Sequence, residues 1–188
     1  MSKNERISVR SVFLPPITTK TIVYCAVFAA LGVILSRFLG FHVGETMRIS
    51  IEAVPMVLAG IFFGPIPGML VGFMADFVGC MFSPFGFNPM LIMPPILYGL
   101  CGGLFRPLLA KKVNLWTLFL TMLVPVALGS VLLQSFLMGQ IYGKGFWYFF
   151  TTRSIEYTIK LVVEVIILQL LFGTKVFNRV GLWPLKEK

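Results

Sequence analysis

Apolar stretches alternate with short polar, glycine-rich or proline-rich breaks along nearly the whole chain. Six stretches are long enough to form helices, over residues 17–38, 49–63, 67–82, 94–109, 115–138 and 147–172. A transmembrane helix needs about 20 mostly apolar residues, a length that the first, fifth and sixth stretches exceed. The pattern predicts an all-α integral membrane protein with six transmembrane helices, in a single membrane domain covering residues 1–188.

The break between the second and third stretches is the sequence Gly-Pro-Ile-Pro-Gly over residues 64–68. Two prolines between two glycines cannot continue a helix, so we expect a tight turn between two short antiparallel spans, with a re-entrant hairpin as the alternative. Glycines recur at every fourth residue from Gly60 to Gly72, a spacing that lets helix backbones approach closely in lipid. Ala26 and Ala30 repeat this spacing of small residues in the first stretch.

Composition agrees with the pattern, because 57% of the residues are hydrophobic, 12% are charged and the mean hydropathy is +0.91. Soluble domains are far more polar. The net charge of +9 comes from basic residues that flank apolar stretches, which is typical of membrane topology signals rather than of nucleic-acid binding. The three cysteines lack metal-binding spacing, so neither a metal nor a disulfide is predicted. The first twenty residues are polar and basic, so we expect no cleavable signal peptide.

The positions of the basic residues also predict the orientation. With both termini in the cytoplasm, 11 of the 16 lysines and arginines lie in the two tails and in the loop after the fourth stretch. The positive-inside rule favours this arrangement. The remaining basic residues then lie outside or in the outer half of the membrane, and they are Arg37, Arg48, Lys144, Arg153 and Lys160.

Ionisable side chains within apolar stretches are candidates for function, because each costs several kcal/mol in lipid unless a partner or a ligand retains it. Glu52 is expected to pair with a basic residue or a ligand. Asp76, at the outer end of the third stretch, is interpreted as an acceptor for the start of a neighbouring helix, with contact to a substrate as the alternative. Glu156, Lys160 and Glu164 share one face of the sixth stretch and are interpreted as an internal ion ladder.

The outer ends of the stretches suggest a ligand site. Arg153 lies near the outer surface, where its guanidinium suits bidentate recognition of a carboxylate. The outer loops are rich in aromatic residues, which commonly anchor a protein at the membrane interface but also suit a flat heteroaromatic ligand with an acidic tail. The sequence contains no nucleophile and base pair and no Walker motif, so we predict neither an enzyme nor an ATPase.

Taken together, these residues resemble the substrate-binding S components of energy-coupling-factor (ECF) vitamin transporters, especially the folate-specific branch. The resemblance covers nearly the whole chain. It implies a protein of a prokaryotic plasma membrane that captures folate outside and delivers it through a complex with a transmembrane coupling subunit and two cytoplasmic ATPases, without a cofactor. The motifs that carry it are Ala26-x-x-x-Ala30, the block from Arg48 to Asp76 with its Leu-Ala-Gly, Gly-Pro and Ala-Asp elements, and Tyr142-Gly-Lys-x-Phe146 followed by Arg153.

The resemblance also implies where partners bind. The face of Ala26 and Ala30 meets the coupling subunit, and the ligand lies beneath the loops near residues 40–47 and 83–93. The amino-pyrimidinone edge of a pterin requires a carboxylate or an amide, and its glutamate tail requires cations. Glu52 or Asn88 suits the first requirement. The predicted substrate-binding residues are Arg153, Glu52, Arg48, Asn88, Lys144, Tyr142, Phe85 and Phe87.

Two short segments differ from the folate branch. Glu52 and Ala53 occupy positions where many members have a glycine and an aromatic residue. Ser154, Ile155 and Glu156 follow the arginine in place of a motif that contains asparagine. An S component for another small vitamin is therefore the main alternative, and a small membrane channel or a membrane-embedded enzyme are further alternatives.

Overall fold

In the computed structural model, residues 18–43, 47–82, 89–111, 113–143, 145–174 and 177 are described. Most of them are helical. The helices are α1 (Thr19–Arg37), α2 (Ala53–Phe63), α3 (Pro65–Met81), α4 (Met93–Leu104), α5 (Arg106–Lys111), α6 (Leu115–Pro125), α7 (Gln134–Tyr142) and α8 (Phe146–Gly173). A 3-10 turn (Pro89–Ile92) precedes α4, and a π-helical stretch (Val126–Leu133) joins α6 to α7.

Helices overlap all six of the predicted apolar stretches. Two helical runs are long and apolar enough to cross a membrane, Thr19–Arg37 and Leu115–Gln140, and α2, α3 and α4 are shorter apolar helices. The fourth stretch, expected over residues 94–109, is divided between α4 and α5. Pro107 lies in the first turn of α5, where its missing N–H does no harm, but it could not continue α4 without losing a backbone hydrogen bond.

The core is built around α2. All 11 of its residues are buried, as is typical of a helix that is apolar on every side. It packs against α1, α3, α4, α5 and α8. At its end, Phe62 lies 4.8 Å from Phe177 between ring centroids, and the ring of Phe28 from α1 joins the same cluster.

The junction of α2 and α3 is tighter than the predicted turn over residues 64–68. Gly64 alone separates the helices, with a φ of 95° that disfavours residues bearing a side chain. Pro65 and Pro67 lie in the first turn of α3, where the missing N–H groups are not needed. The third helix therefore begins two residues earlier than the expected position 67.

The glycines of α2, α3 and α4 bring three helix backbones into direct contact. A Cβ atom added to Gly68 would lie 2.7 Å from the Cα of Gly60, and one added to Gly60 would lie 2.7 Å from the backbone nitrogen of Gly103. No side chain fits between the backbones at these points. The spacing of small residues thus packs the helices of this chain against each other, as the sequence pattern favours.

A short antiparallel hairpin connects α1 to α2. Its strands are β1 (Phe41–Val43) and β2 (Met47–Ile49), with His42 opposite Arg48. The sequence pattern predicts no strand here, and the second helical stretch is expected from residue 49, whereas α2 begins at Ala53. Apolar and polar residues alternate from position 47 to 51, which is the period of a strand and not of a helix.

Candidate ligand-binding site

A polar cavity of about 70 Å³ lies among α2, α3, α4, α7, α8 and the π-helical stretch. Polar groups from segments far apart in the sequence converge here, which is typical of a ligand-binding site. Its polar lining residues are Ser50, Glu52, Asp76, Tyr98, Ser130, Gln134, Tyr157, Lys160 and Glu164.

Ser50 and Glu52 lie where the chain leaves β2 and enters α2. Ser50 is 3% exposed, and its hydroxyl oxygen has no hydrogen-bond partner among the described residues. The Glu52 carboxylate lines the same cavity and forms no ion pair or hydrogen bond within the described part of the chain. Ser50 is buried and Glu52 is half-buried. Since buried polar groups are normally hydrogen-bonded, the unpartnered Ser50 and the carboxylate of Glu52 beside it are available to a ligand.

Three charged residues lie on the inward face of α8. Glu156, Lys160 and Glu164 are 7%, 6% and 3% exposed. The Lys160 ammonium lies 3.0 Å from Oε1 of Glu156. The Glu164 carboxylate instead accepts a hydrogen bond from the backbone N–H of Ala53 at the start of α2. In the predicted ion ladder, only Glu156 and Lys160 therefore form an ion pair. Lys160 and Glu164 line the cavity.

The π-helical stretch shapes the opposite wall. It follows Pro125, which has no backbone N–H to donate, and π-helical turns often mark functional sites. The hydroxyl of Ser130 lies 3.0 Å from that of Tyr98 on α4. The Tyr157 hydroxyl of α8 donates to Oε1 of Gln134 at 3.2 Å. These two bonds hold the long helix against α4 and α8.

Asp76 also lines the cavity, although the sequence favours a structural role for it. The Cys80 thiol lies 3.8 Å from Oδ2 of Asp76, and Nη2 of Arg37 lies 3.9 Å from the Cys80 sulfur. These long contacts to sulfur connect the end of α1 with α3. Asp76 therefore belongs both to the cavity wall and to the contact between these helices.

The comparison with known proteins identifies the family. Residues 16–177 match the sequence model of a family described as ECF-type riboflavin transporter, S component. The chain belongs to this family of S components. Its members are transporter subunits, and the match confirms the resemblance to S components seen in the sequence.

Two proteins similar to this S component are named for folate. Folate transporter FolT of Clostridium novyi (strain NT) is 25% identical over 150 residues, which cover 78% of this chain and 84% of that protein. A crystal structure of FolT bound with folic acid matches with a TM-score of 0.70 and 26% identity, covering 80% of this chain and 91% of that one. The S-component fold is therefore shared over most of both chains.

Only part of the predicted ligand set can be placed in this S component. Glu52 lines the cavity, whereas Arg153 lies beside it, with its guanidinium carbon 5.9 Å from the ring centroid of the lining residue Tyr157. Arg48 lies in β2 and Tyr142 ends α7, and only their backbones are described. The predicted residues that lie outside the described part are Phe85, Phe87, Asn88 and Lys144.

Several cavity residues are not predicted by the sequence pattern. Ser130 and Gln134 interrupt an otherwise apolar stretch and are one helical turn apart, a signal that could have identified them. Tyr98 and Tyr157 carry no such signal, because tyrosines in apolar helices commonly pack in cores or at interfaces. Ser50 looks like an ordinary polar residue at the start of the predicted second helical stretch.

A second feature of this S component is an apolar groove of about 400 Å³ between α1 and α3. Ala26 and Ala30, the residues predicted to meet a partner, lie in its wall. Their small side chains leave room on the α1 side. The remaining lining residues are Ile22, Cys25, Ala29, Val33, Leu70, Val71, Met74 and Val78.

Proposed function

We propose that this S component binds folate at the outer side of the membrane and delivers it to an ECF complex. The observation that carries the proposal is the presence of two hydrogen-bonding groups, Ser50 and Glu52, that line the cavity and have no partner within the described residues. The folate transporter and the folate-bound structure among its relatives support the same ligand.

The Glu52 carboxylate favours a pterin over the flavin that the family description names. A pterin presents adjacent N–H donors on its amino-pyrimidinone edge, and a carboxylate can accept both in a bidentate arrangement. A flavin presents one N–H between two carbonyl oxygens, and those oxygens repel a carboxylate. The charge of the cavity therefore supports folate as the ligand.

We assign the glutamate tail of folate to the cations beside the cavity. The guanidinium of Arg153 lies near the ring of the lining residue Tyr157, and its planar shape pairs well with a carboxylate. Arg48 and Lys144 are assigned as additional cations. The residues assigned to the ring and its cover are Asn88, Tyr142, Phe85 and Phe87.

The cavity must widen when this ligand binds. Its volume of about 70 Å³ is well below the roughly 300 to 1,000 Å³ of a typical small-molecule site. The hydrogen-bonding groups are already gathered, so we infer that binding moves side chains apart around a preformed polar centre.

We assign six membrane crossings to α1, α2, α3, α4 with α5, the run from α6 to α7, and α8, in a multi-pass protein of a prokaryotic plasma membrane. At 11 residues, α2 is too short to span a bilayer alone, but it is buried on all sides and does not need to face lipid. Placing both termini in the cytoplasm puts 11 of 16 basic residues there, which supports the orientation.

The apolar groove between α1 and α3 is the proposed contact with the transmembrane coupling subunit. Small residues such as Ala26 and Ala30 let a partner helix approach closely in lipid. Two cytoplasmic ATPases attached to that subunit then supply the energy, since this sequence has no Walker motif of its own.

Equilibrium binding to the purified protein tests the ligand. We expect one folic acid per chain at micromolar affinity or tighter, and riboflavin weaker by at least about 100-fold, because a site built around hydrogen bonds strongly rejects a mismatched ring. Tighter binding of riboflavin would instead assign the chain to the ligand of the family description. Mass spectrometry of any copurified small molecule would identify a third vitamin.

A further inference from the structure

Lys160 lies in the cavity wall near the middle of α8. The sequence interpretation gives it a structural role, as one rung of an ion ladder. In the structure it is 6% exposed and lines the cavity together with the carboxylates of Glu52 and Glu164. A cation in this place contacts the same space as the proposed ligand.

Two neighbours hold the ammonium group of Lys160. Oε1 of Glu156 lies 3.0 Å away, and the ring centroid of Tyr157 lies 4.6 Å away. The Tyr157 ring is itself fixed by its hydrogen bond to Gln134. An ammonium has three N–H donors. The Glu156 carboxylate accepts one N–H, and the ring face of Tyr157 contacts a second. Among the described residues, no other group accepts the third N–H.

Stability alone does not account for this arrangement. Replacing a buried ion pair by apolar residues of similar volume is often neutral or stabilising, so the pair of Glu156 and Lys160 is weak evidence for a structural role. The wall instead combines an acceptor at Glu52 with a held donor at Lys160. That combination fits a ring that has hydrogen-bond donors and acceptors on adjacent edges.

We propose that Lys160 binds the ligand directly, donating a hydrogen bond to a carbonyl oxygen of the ring while Glu52 accepts from its donor edge. This inference rests on the proposed function and specifies the ligand class as a 2-amino-4-oxo ring. A ring with an amino group at position 4 places N–H donors against the Lys160 ammonium. The hydrogen bond from Lys160 to the ring is then lost, and a buried N–H donor is left unsatisfied. Lys160 therefore selects the 4-oxo form.

Folic acid and aminopterin test this selection. The 4-amino group of aminopterin removes the carbonyl acceptor for Lys160, and its ring nitrogen N3 carries no hydrogen, so Glu52 also loses one of its two donors. For the wild-type protein we expect folic acid to bind at least about 10-fold tighter in isothermal titration calorimetry. Lys160→Met should weaken folic acid by at least about 10-fold and aminopterin by less than about 3-fold. The preference for folic acid then narrows by at least about 3-fold, and the part that comes from Glu52 remains. A structural lysine would weaken both ligands equally.

Control variants distinguish a failure of this inference from misfolding of the variant and from a failure of the proposed function. If Lys160→Met does not fold, Glu156→Leu combined with Lys160→Met removes both charges and should show the same narrowing of the preference. Thr158→Val, on the exposed face of α8, should retain the wild-type preference. Equal binding of both ligands to the wild type, or an unchanged preference in the Lys160 variants, overturns the inference alone. A wild-type protein that binds neither ligand overturns the proposed function as well.

Discussion

Two regions of this chain pack their helices in opposite ways. One is the contact of α2, α3 and α4, and the other is the cavity wall formed by α8 and the π-helical stretch. In the first, glycine backbones touch and no side chain fits between them. In the second, polar side chains of different helices hydrogen-bond to each other around a cavity of about 70 Å³, which charged side chains also line. The first region is rigid by geometry, whereas the second depends on hydrogen bonds that a ligand can replace.

This difference indicates how the molecule divides its tasks. The glycine contact fixes the short helices α2 and α3, from which Glu52 and Asp76 approach the cavity. The wall of α8 contributes the groups that can exchange their partners. Substitutions in the first region should therefore remove the fold, and substitutions in the second should change binding while the fold persists.

The largest effect is expected for Gly68→Leu. Its Cβ would lie 2.7 Å from the Cα of Gly60, where only backbone is present and nothing can move aside cheaply. We expect no monodisperse protein after extraction in detergent, measured by size-exclusion chromatography. Gly173→Leu is the matched control, because Gly173 is exposed and nothing lies within 4 Å of a Cβ at that position. A normal yield of Gly68→Leu would show that the three helices can separate.

Ala26→Leu combined with Ala30→Leu should abolish uptake without changing the ligand site. The added side chains fill the apolar groove between α1 and α3, where we place the coupling subunit. Uptake of labelled folate by cells with the whole complex is expected to be lost, while folic acid binding to the purified chain stays unchanged. Val27→Leu, on an exposed position of α1 outside the groove, should transport normally. Uptake at wild-type rates in the double variant would exclude this groove as the contact.

Glu52→Gln should weaken folic acid by about 2 kcal/mol, roughly 30-fold, because hydrogen bonds to a charged group are worth about 1.5 to 3 kcal/mol. Calorimetry on the purified protein measures the change. Ser50→Ala removes only a neutral partner and should cost about 1 kcal/mol. An equal loss for riboflavin in Glu52→Gln would mean that the carboxylate does not recognise the pterin edge.

Arg153→Ala should weaken folic acid by at least about 1.5 kcal/mol, or roughly 10-fold, through loss of a charge-assisted bond to the glutamate tail. Pteroic acid, which lacks the glutamate, should bind the variant and the wild type equally. The difference between the two ligands separates a contact with the tail from a general change in the cavity. If both ligands lose the same affinity, Arg153 acts through the ring of Tyr157 and not through the tail.

The smallest effect is expected for Tyr98→Phe. It removes the 3.0 Å bond to Ser130 and leaves a buried hydroxyl without its partner, at a cost of about 1 kcal/mol in the free energy of unfolding. Adding Ser130→Ala removes the unsatisfied hydroxyl and should restore part of the loss. Chemical denaturation in detergent measures both variants. Full stability of Tyr98→Phe would show that this bond does not hold the wall.

The two regions also differ in how far the sequence predicts them. Apolar stretches predict the helices, and the four-residue spacing from Gly60 to Gly72 predicts their close contact, because both signals are local. The hairpin was missed because its alternation covers only five residues between two polar breaks. The cavity was found only through Glu52. Tyr98, Ser130 and Tyr157 approach one another from three distant segments, and their pairing depends on helix rotations that no local pattern encodes.

The π-helical stretch from Val126 to Leu133 has a consequence for the history of the chain. Such a turn is an α-helix that has gained a residue, so every position after it is rotated by about 100° relative to an uninterrupted helix. Deleting one residue within the stretch would straighten the helix and turn Gln134 away from Tyr157. Relatives should therefore fall into two groups, one that aligns with this stretch without a gap and one that aligns with a one-residue gap. In the second group, a different residue should face the cavity.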